Sequence, residues 1–149
     1  MNRLYILLTV MVVMVLAFFA GHVALAKVLT GTAGNDTLLG TSRADHLTGL
    51  RGADRLWGGR GEDHLKGNRG NDHLWGSHGN DKIIPGEGDD KVYAGYGDDL
   101  IYARDTDGVD YIDCGPGFDE VETIHRDDVT LSNCERTLGP ERGHIETDG

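Results

Sequence analysis

Aspartate recurs at every ninth residue along the middle of the chain: Asp36, Asp45, Asp54, Asp63, Asp72, Asp81, Asp90 and Asp99. An ionised carboxylate only accepts, through two hard oxygens. A file of carboxylates at one spacing is therefore a set of cation ligands rather than an acid–base pair. Two residues before the aspartate stands a glycine in seven of the eight units: Gly34, Gly52, Gly61, Gly70, Gly79, Gly88 and Gly97; the second unit has Arg43 there. Two residues after it stands an aliphatic: Leu38, Leu47, Leu56, Leu65, Leu74, Ile83, Val92 and Ile101. With Gly31 as position one, the glycine holds position four, the aspartate position six and the aliphatic position eight.

A period of nine that runs without a gap from Gly31 to Tyr102 decides the architecture ahead of other signals. Glycine at position four predicts a turn with φ > 0, where a Cβ would clash. Arg43 at that position predicts a strained turn and a weak site. Side chains alternate along a strand, so position eight points inward and positions seven and nine outward. A turn of six residues and a strand of three make one unit, and two units make one coil. Successive coils stack as parallel strands about 4.8 Å apart. Leu38, Leu56, Leu74 and Val92 then form one inner column, and Leu47, Leu65, Ile83 and Ile101 the other. Asp36, Asp54, Asp72 and Asp90 fall on one edge, and Asp45, Asp63, Asp81 and Asp99 on the opposite edge. The expected fold is all-β: a parallel β-roll of nonapeptide repeats, two per coil, over residues 27–102.

Such columns repel each other without counterions, and one aliphatic per nine residues is a thin core. The chain is acidic, with formal net charge −11, which disfavours nucleic acid as a partner. A cation between turns answers both problems. Ca²⁺ takes six to eight oxygens in flexible geometry, whereas Mg²⁺ holds its waters. Zinc is a poor match because no Cys or His recurs at ligand spacing. Counting gaps between coils gives up to about six Ca²⁺ ions, or eight if Asp110 and Asp119 take part.

The units resemble the G-G-x-G-x-D-x-U-x nonapeptide of the repeats-in-toxin (RTX, hemolysin-type) calcium-binding family. The resemblance covers residues 31–102. It implies a parallel β-roll with Ca²⁺ between turns, the position-six aspartates as side-chain ligands and carbonyls of the glycine-rich turns completing the shell. The sequence departs from the pattern at Arg43, and at Pro85 and Ala94, which replace the first glycine of units seven and eight. The toxin and protease activities of large family members do not carry over to a chain this small.

The two ends read differently. Residues 1–26 combine Arg3, an apolar run from Leu4 to Ala20 and Ala24-Leu25-Ala26, the parts of a secretory signal peptide; an uncleaved anchor is the alternative. The expectation is a secreted, extracellular chain with no membrane contact after cleavage. Past Tyr102 the register slips by two residues and resumes as Gly108-Val109-Asp110-Tyr111-Ile112 and Gly117-Phe118-Asp119-Glu120-Val121. Cys114 and Cys134 are the two cysteines, and an even count in an oxidising compartment favours a disulfide. It would close residues 103–138 as a cap on the open end of the solenoid. The stretch from Cys114 to Glu135 is also similar to the C-terminal end of small secreted bacterial calcium-binding repeat proteins. Residues 139–149 read as a disordered tail.

Other chemistry is thinly represented. No Ser-His-Asp or H-E-x-x-H arrangement is present, so no catalytic residue is assigned and the chain is not read as an enzyme. His46 and His64 share position seven one coil apart and should be neighbours on an outer face. Leu39, Trp57, Trp75 and Tyr93 share position nine on one sheet. That stripe is either cross-strand packing or a ligand surface for a glycan or protein partner. Two functions follow: a calcium-folded structural or interaction module outside the cell, or a carbohydrate or cell-surface adhesin using Trp57, Trp75 and Tyr93.

Overall fold

The computed structural model describes residues 25–104, 108–124 and 129–139. Nearly all of the leader and of the expected C-terminal tail lies outside the described residues. Every described element is a strand. In chain order they are β1 (Val28–Thr30), β2 (Thr37–Leu39), β3 (His46–Arg51), β4 (Arg55–Arg60), β5 (His64–Arg69), β6 (His73–His78), β7 (Lys82–Glu87), β8 (Lys91–Tyr96), β9 (Leu100–Ala103), β10 (Asp110–Asp113), β11 (Glu120–Thr123), β12 (Val129–Ser132) and β13 (Arg136–Leu138).

Odd and even strands separate into two parallel sheets. One has the order β1-β3-β5-β7-β9-β11-β13, the other β12-β10-β8-β6-β4-β2. The chain therefore alternates between two walls and advances one strand per coil on each. Partners are 18 residues apart in the repeat region: Leu38 pairs with Leu56, Leu56 with Leu74, and Leu74 with Val92. On the other wall Leu47 pairs with Leu65, Leu65 with Ile83, and Ile83 with Ile101. These are the two inner columns that the alternation dictates, and Ile112 and Val121 extend them. Apart from Leu38, which is partly buried, all are buried to 1% exposure or less.

The strands are longer than the nine-residue pattern suggests. β3 to β8 each span six residues, from position seven through position three of the next unit. The turn shrinks to positions four to six, and position one becomes a second buried inner position, held by Gly49, Gly58, Gly67, Gly76, Pro85, Ala94 and Ala103.

The backbone also corrects the reading of position four. Gly52, Gly61, Gly70, Gly79, Gly88 and Gly97 do have positive φ, between 111° and 131°. Gly34 does not, and Arg43 is not among the residues with positive φ. The strain expected at Arg43 is thus absent, and it falls instead on position two of later turns. Leu50, Asn68 and Ser77 lie at φ 89°, 83° and 85°, beside Gly59, Gly86 and Gly95 at 110° to 115°. Units one and two have Thr32 and Thr41 at that position, and a β-branched residue is a poor occupant of that region.

The C-terminal part is more regular than an irregular cap. The slip after Tyr102 makes a coil of 20 residues: the amide of Asp90 donates to Asp110 and that of Asp99 to Asp119, each pair 20 apart. β10 to β13 continue both sheets, and the solenoid has about six turns. The Cys114–Cys134 disulfide bridges successive coils, with Cα atoms 5.2 Å apart. Cys114 is buried in the core and Cys134 packs against it.

Candidate metal centre

The position-six aspartates form two continuous ladders along the edges. In each, the backbone N–H of one aspartate donates to Oδ1 of the aspartate one coil ahead. On one edge Asp36 donates to Asp54, Asp54 to Asp72 and Asp72 to Asp90, each at 2.7 Å. The chain continues from Asp90 to Asp110 at 3.0 Å. On the other edge Asp45 donates to Asp63 at 2.8 Å, then Asp63 to Asp81 and Asp81 to Asp99 at 2.7 Å, and Asp99 to Asp119 at 2.8 Å. These carboxylates are buried to 2% exposure or less, except for partly buried Asp36.

One oxygen of each carboxylate is thereby used. The other, Oδ2, has no hydrogen-bond partner in Asp54, Asp63, Asp72, Asp81, Asp99 and Asp119. A buried, unpaired carboxylate oxygen is costly, so what else surrounds it matters. The glycine at position one supplies the answer, because without a side chain it lets other oxygens pack close to its own Cα. A methyl group at Gly76 would come within 2.3 Å of Asp81 Oδ2 and 2.4 Å of the Ala94 carbonyl oxygen in the next coil. At Gly67 it would meet Asp72 Oδ2 and the Pro85 oxygen, both at 2.3 Å. At Gly49 and Gly58 the carboxylate lies at 2.3 Å and the carbonyls of Gly67 and Gly76 at 2.9 Å. In the turns of Asp54, Asp63, Asp72 and Asp81 a carboxylate oxygen and a carbonyl oxygen of the next coil thus pack against the same glycine, a pair of hard oxygens from side chain and backbone.

Electrostatics agree with that arrangement. Burial pushes the carboxyl of Asp81 up to about 7, helped by the charges of Asp99, Asp63 and Glu62, against the lowering effect of the Asp63 amide. Burial likewise lifts Asp63, Asp72 and Asp99 to about 6, and Asp54 and Asp119 are raised for the same first reason. Among the described residues no three His, Cys, Asp or Glu side chains converge on one point. A cation here must therefore draw on backbone carbonyls as well as aspartates, which suits Ca²⁺ and not zinc.

The first two turns close differently. In unit one, the Thr32 N–H and hydroxyl both donate to Asp36 Oδ2, at 2.5 and 2.9 Å, and the Gly34 N–H donates to the Thr32 hydroxyl at 3.2 Å. Unit two repeats this: the Thr41 N–H and hydroxyl donate to Asp45 Oδ2 and the Arg43 N–H donates to the Thr41 hydroxyl. The ladder that runs from Asp45 to Asp119 also continues past both of its recognised ends. The Lys27 N–H donates to Asp45 Oδ1 at 2.5 Å, and Glu135 Oε2 accepts from the Asp119 N–H at 2.9 Å. Val28-Leu29-Thr30 just before Gly31, and Glu135-Arg136-Thr137 near the end, are degenerate units that the aspartate count passes over.

The aromatic stripe is a ladder. The Trp57 and Trp75 rings are parallel within 3° at 4.4 Å, Tyr93 stacks on Trp75 at 5.9 Å and 10°, and Tyr111 joins Tyr93 at 5.9 Å with a 55° tilt. Trp75 is thereby sandwiched between Trp57 and Tyr93. His46 and His64 are neighbours with ring centroids 5.3 Å apart.

A parallel two-walled solenoid whose edges carry files of buried aspartates, with glycines that let backbone carbonyls approach them, is a calcium-binding β-roll in its architecture. The sequence comparison gives the family: the model of the RTX calcium-binding nonapeptide repeat, which spans four copies, matches residues 30–65, 57–92 and 86–121. The chain belongs to that family. No curated protein matches it.

Proposed function

We propose that this protein is a secreted calcium-binding β-roll that folds when Ca²⁺ enters its turns and acts outside the cell as a structural or interaction module. The observation that carries this reading is the row of buried Oδ2 atoms without hydrogen-bond partners, those of Asp54, Asp63, Asp72 and Asp81 packed with a carbonyl oxygen of the next coil against one glycine. In this reading Asp54, Asp63, Asp72, Asp81, Asp90 and Asp99 supply the carboxylates, with Asp110 and Asp119 extending the set. The turn glycines let the backbone approach the ion. Calcium then neutralises columns of like charge that otherwise oppose coil stacking, so ion binding and folding are one equilibrium. Secretion rests on the composition of residues 1–26. The Trp57, Trp75 and Tyr93 stripe is read as packing, because sugar stacking needs a free ring face and these faces are turned on one another. Far-UV circular dichroism during calcium titration of the metal-stripped chain tests the proposal. Strand signal should rise with millimolar Ca²⁺ and vanish in excess chelator; the same strand spectrum in both states refutes it.

A further inference from the structure

Position two of each unit sorts the turns into two kinds. From unit three onward it is occupied by Leu50, Gly59, Asn68, Ser77, Gly86 and Gly95, all at positive φ. In those turns Oδ2 of Asp54, Asp63, Asp72, Asp81 and Asp99 takes no hydrogen bond. In units one and two the residue is threonine outside the positive-φ region, and its amide and hydroxyl both point at Oδ2 of Asp36 and Asp45. Ser77 is an internal control. It carries a hydroxyl at the same position, yet at φ 85° it leaves Asp81 Oδ2 unsatisfied. The closing device is therefore the backbone conformation that threonine enforces, with the hydroxyl completing it.

We propose that the first coil is a metal-independent cap: Thr32 and Thr41 supply from the protein the two donors that close Asp36 and Asp45, and ion binding begins at the third unit. This rests on the calcium reading above and refines which aspartates serve it. A solenoid needs a terminal unit that leans little on a further neighbour, and this coil satisfies the Oδ2 of both carboxylates from within, only the Lys27 amide reaching Asp45 Oδ1 from ahead of it. The later coils then have a closed surface to stack on.

Calcium stoichiometry measured by equilibrium dialysis on the full chain, with circular dichroism confirming strand content, tests the assignment. Asp45→Asn should bind as many ions as the unmutated chain, whereas Asp63→Asn and Asp81→Asn should each lose at least one. The double variant Thr32→Gly/Thr41→Gly should gain up to two ions, because it gives the first turns the glycine of Gly59 and Gly86. Since Asp45→Asn places an amide beside two N–H and O–H donors and can loosen the coil, anomalous scattering from calcium-soaked crystals of the unmutated chain gives a second readout. Peaks should lie beside Asp54, Asp63, Asp72 and Asp81, with none at Asp36 or Asp45. A peak at Asp36 or Asp45, or equal losses in Asp45→Asn and Asp63→Asn, overturns the threonine assignment alone. An unmutated chain that binds no calcium overturns the calcium reading on which it rests.

Discussion

Acid should substitute for calcium in this fold. Asp63, Asp72 and Asp99 titrate near 6 and Asp81 near 7 when the chain is folded, against 3.8 for a free aspartate, chiefly because burial disfavours their charged form. A group whose folded pKa is raised contributes stability that is complete below its unfolded value and is lost as pH rises through the folded one. Near pH 5 all four carboxyls hold protons in the folded chain and are mostly ionised in the unfolded one. Folding of the metal-free chain should therefore take up about four protons there and none above pH 8. Metal-stripped protein followed by circular dichroism from pH 8 to 4.5 should gain strand content as pH falls through the 7 to 6 interval. Adding Ca²⁺ near pH 5.5 in a weak buffer should release about three to four protons per chain, because the ion replaces them at the carboxylates. Asp81→Asn, which imitates the protonated form, should abolish the upper part of the transition. Strand content that stays flat or falls on acidification, or calcium binding that releases no protons at that pH, refutes the reasoning.

Other expectations concern individual side chains. Arg43→Gly should not stabilise the fold. The native backbone there lies outside the positive-φ region, so glycine only adds freedom to the unfolded chain, a loss of about 0.4–1 kcal/mol in chemical denaturation of the calcium-loaded form. Leu50→Gly should act in the opposite sense, because an exposed leucine at φ 89° is relieved of strain; a lowered denaturation midpoint would contradict this. Leu65→Ala, at 0% exposure in an inner column, should cost roughly 2–5 kcal/mol, and a loss below 1 kcal/mol would mean the column is loosely packed. The Trp57–Trp75 stack should give a calcium-dependent exciton couplet in circular dichroism that disappears in Trp57→Ala. Its persistence in that variant would place the signal elsewhere.

Much of this was legible because one rule repeats. Aspartate at position six and an aliphatic at position eight determine the coil length, the two inner columns and the division of aspartates between edges, and each reappears in the register of Leu38, Leu56, Leu74 and Val92. The conformation of the first turns was not legible in the same way. Counting glycines at position four marks Arg43 as the exception, whereas the backbone responds to the residue at position two, where a threonine hydroxyl competes for the carboxylate. Strand length was underestimated because position one looks like turn when it is glycine. It is recognisable as an inner position only where Pro85, Ala94, Ala103 and Cys114 replace the glycine. The outermost strands were passed over because Lys27 and Glu135 stand where the pattern demands aspartate.

The alternation between two walls gives the chain a parity. Its core counts in nines, since every unit offers the same aliphatic and the same aspartate, but its surface counts in eighteens. Trp57 and Trp75 face out from one wall, while Thr48, Lys66 and Ile84 take the equivalent place on the other. Excising one unit would leave columns and ladders intact yet move every downstream face to the opposite side, so that loss of residues 58–66 would set Trp75 beside Thr48 rather than Trp57. Excising two would shorten the rod without changing what either side displays. Insertions and deletions in such a chain are therefore silent or surface-inverting according to whether they are even or odd in repeats, a distinction that the packing of the interior does not enforce.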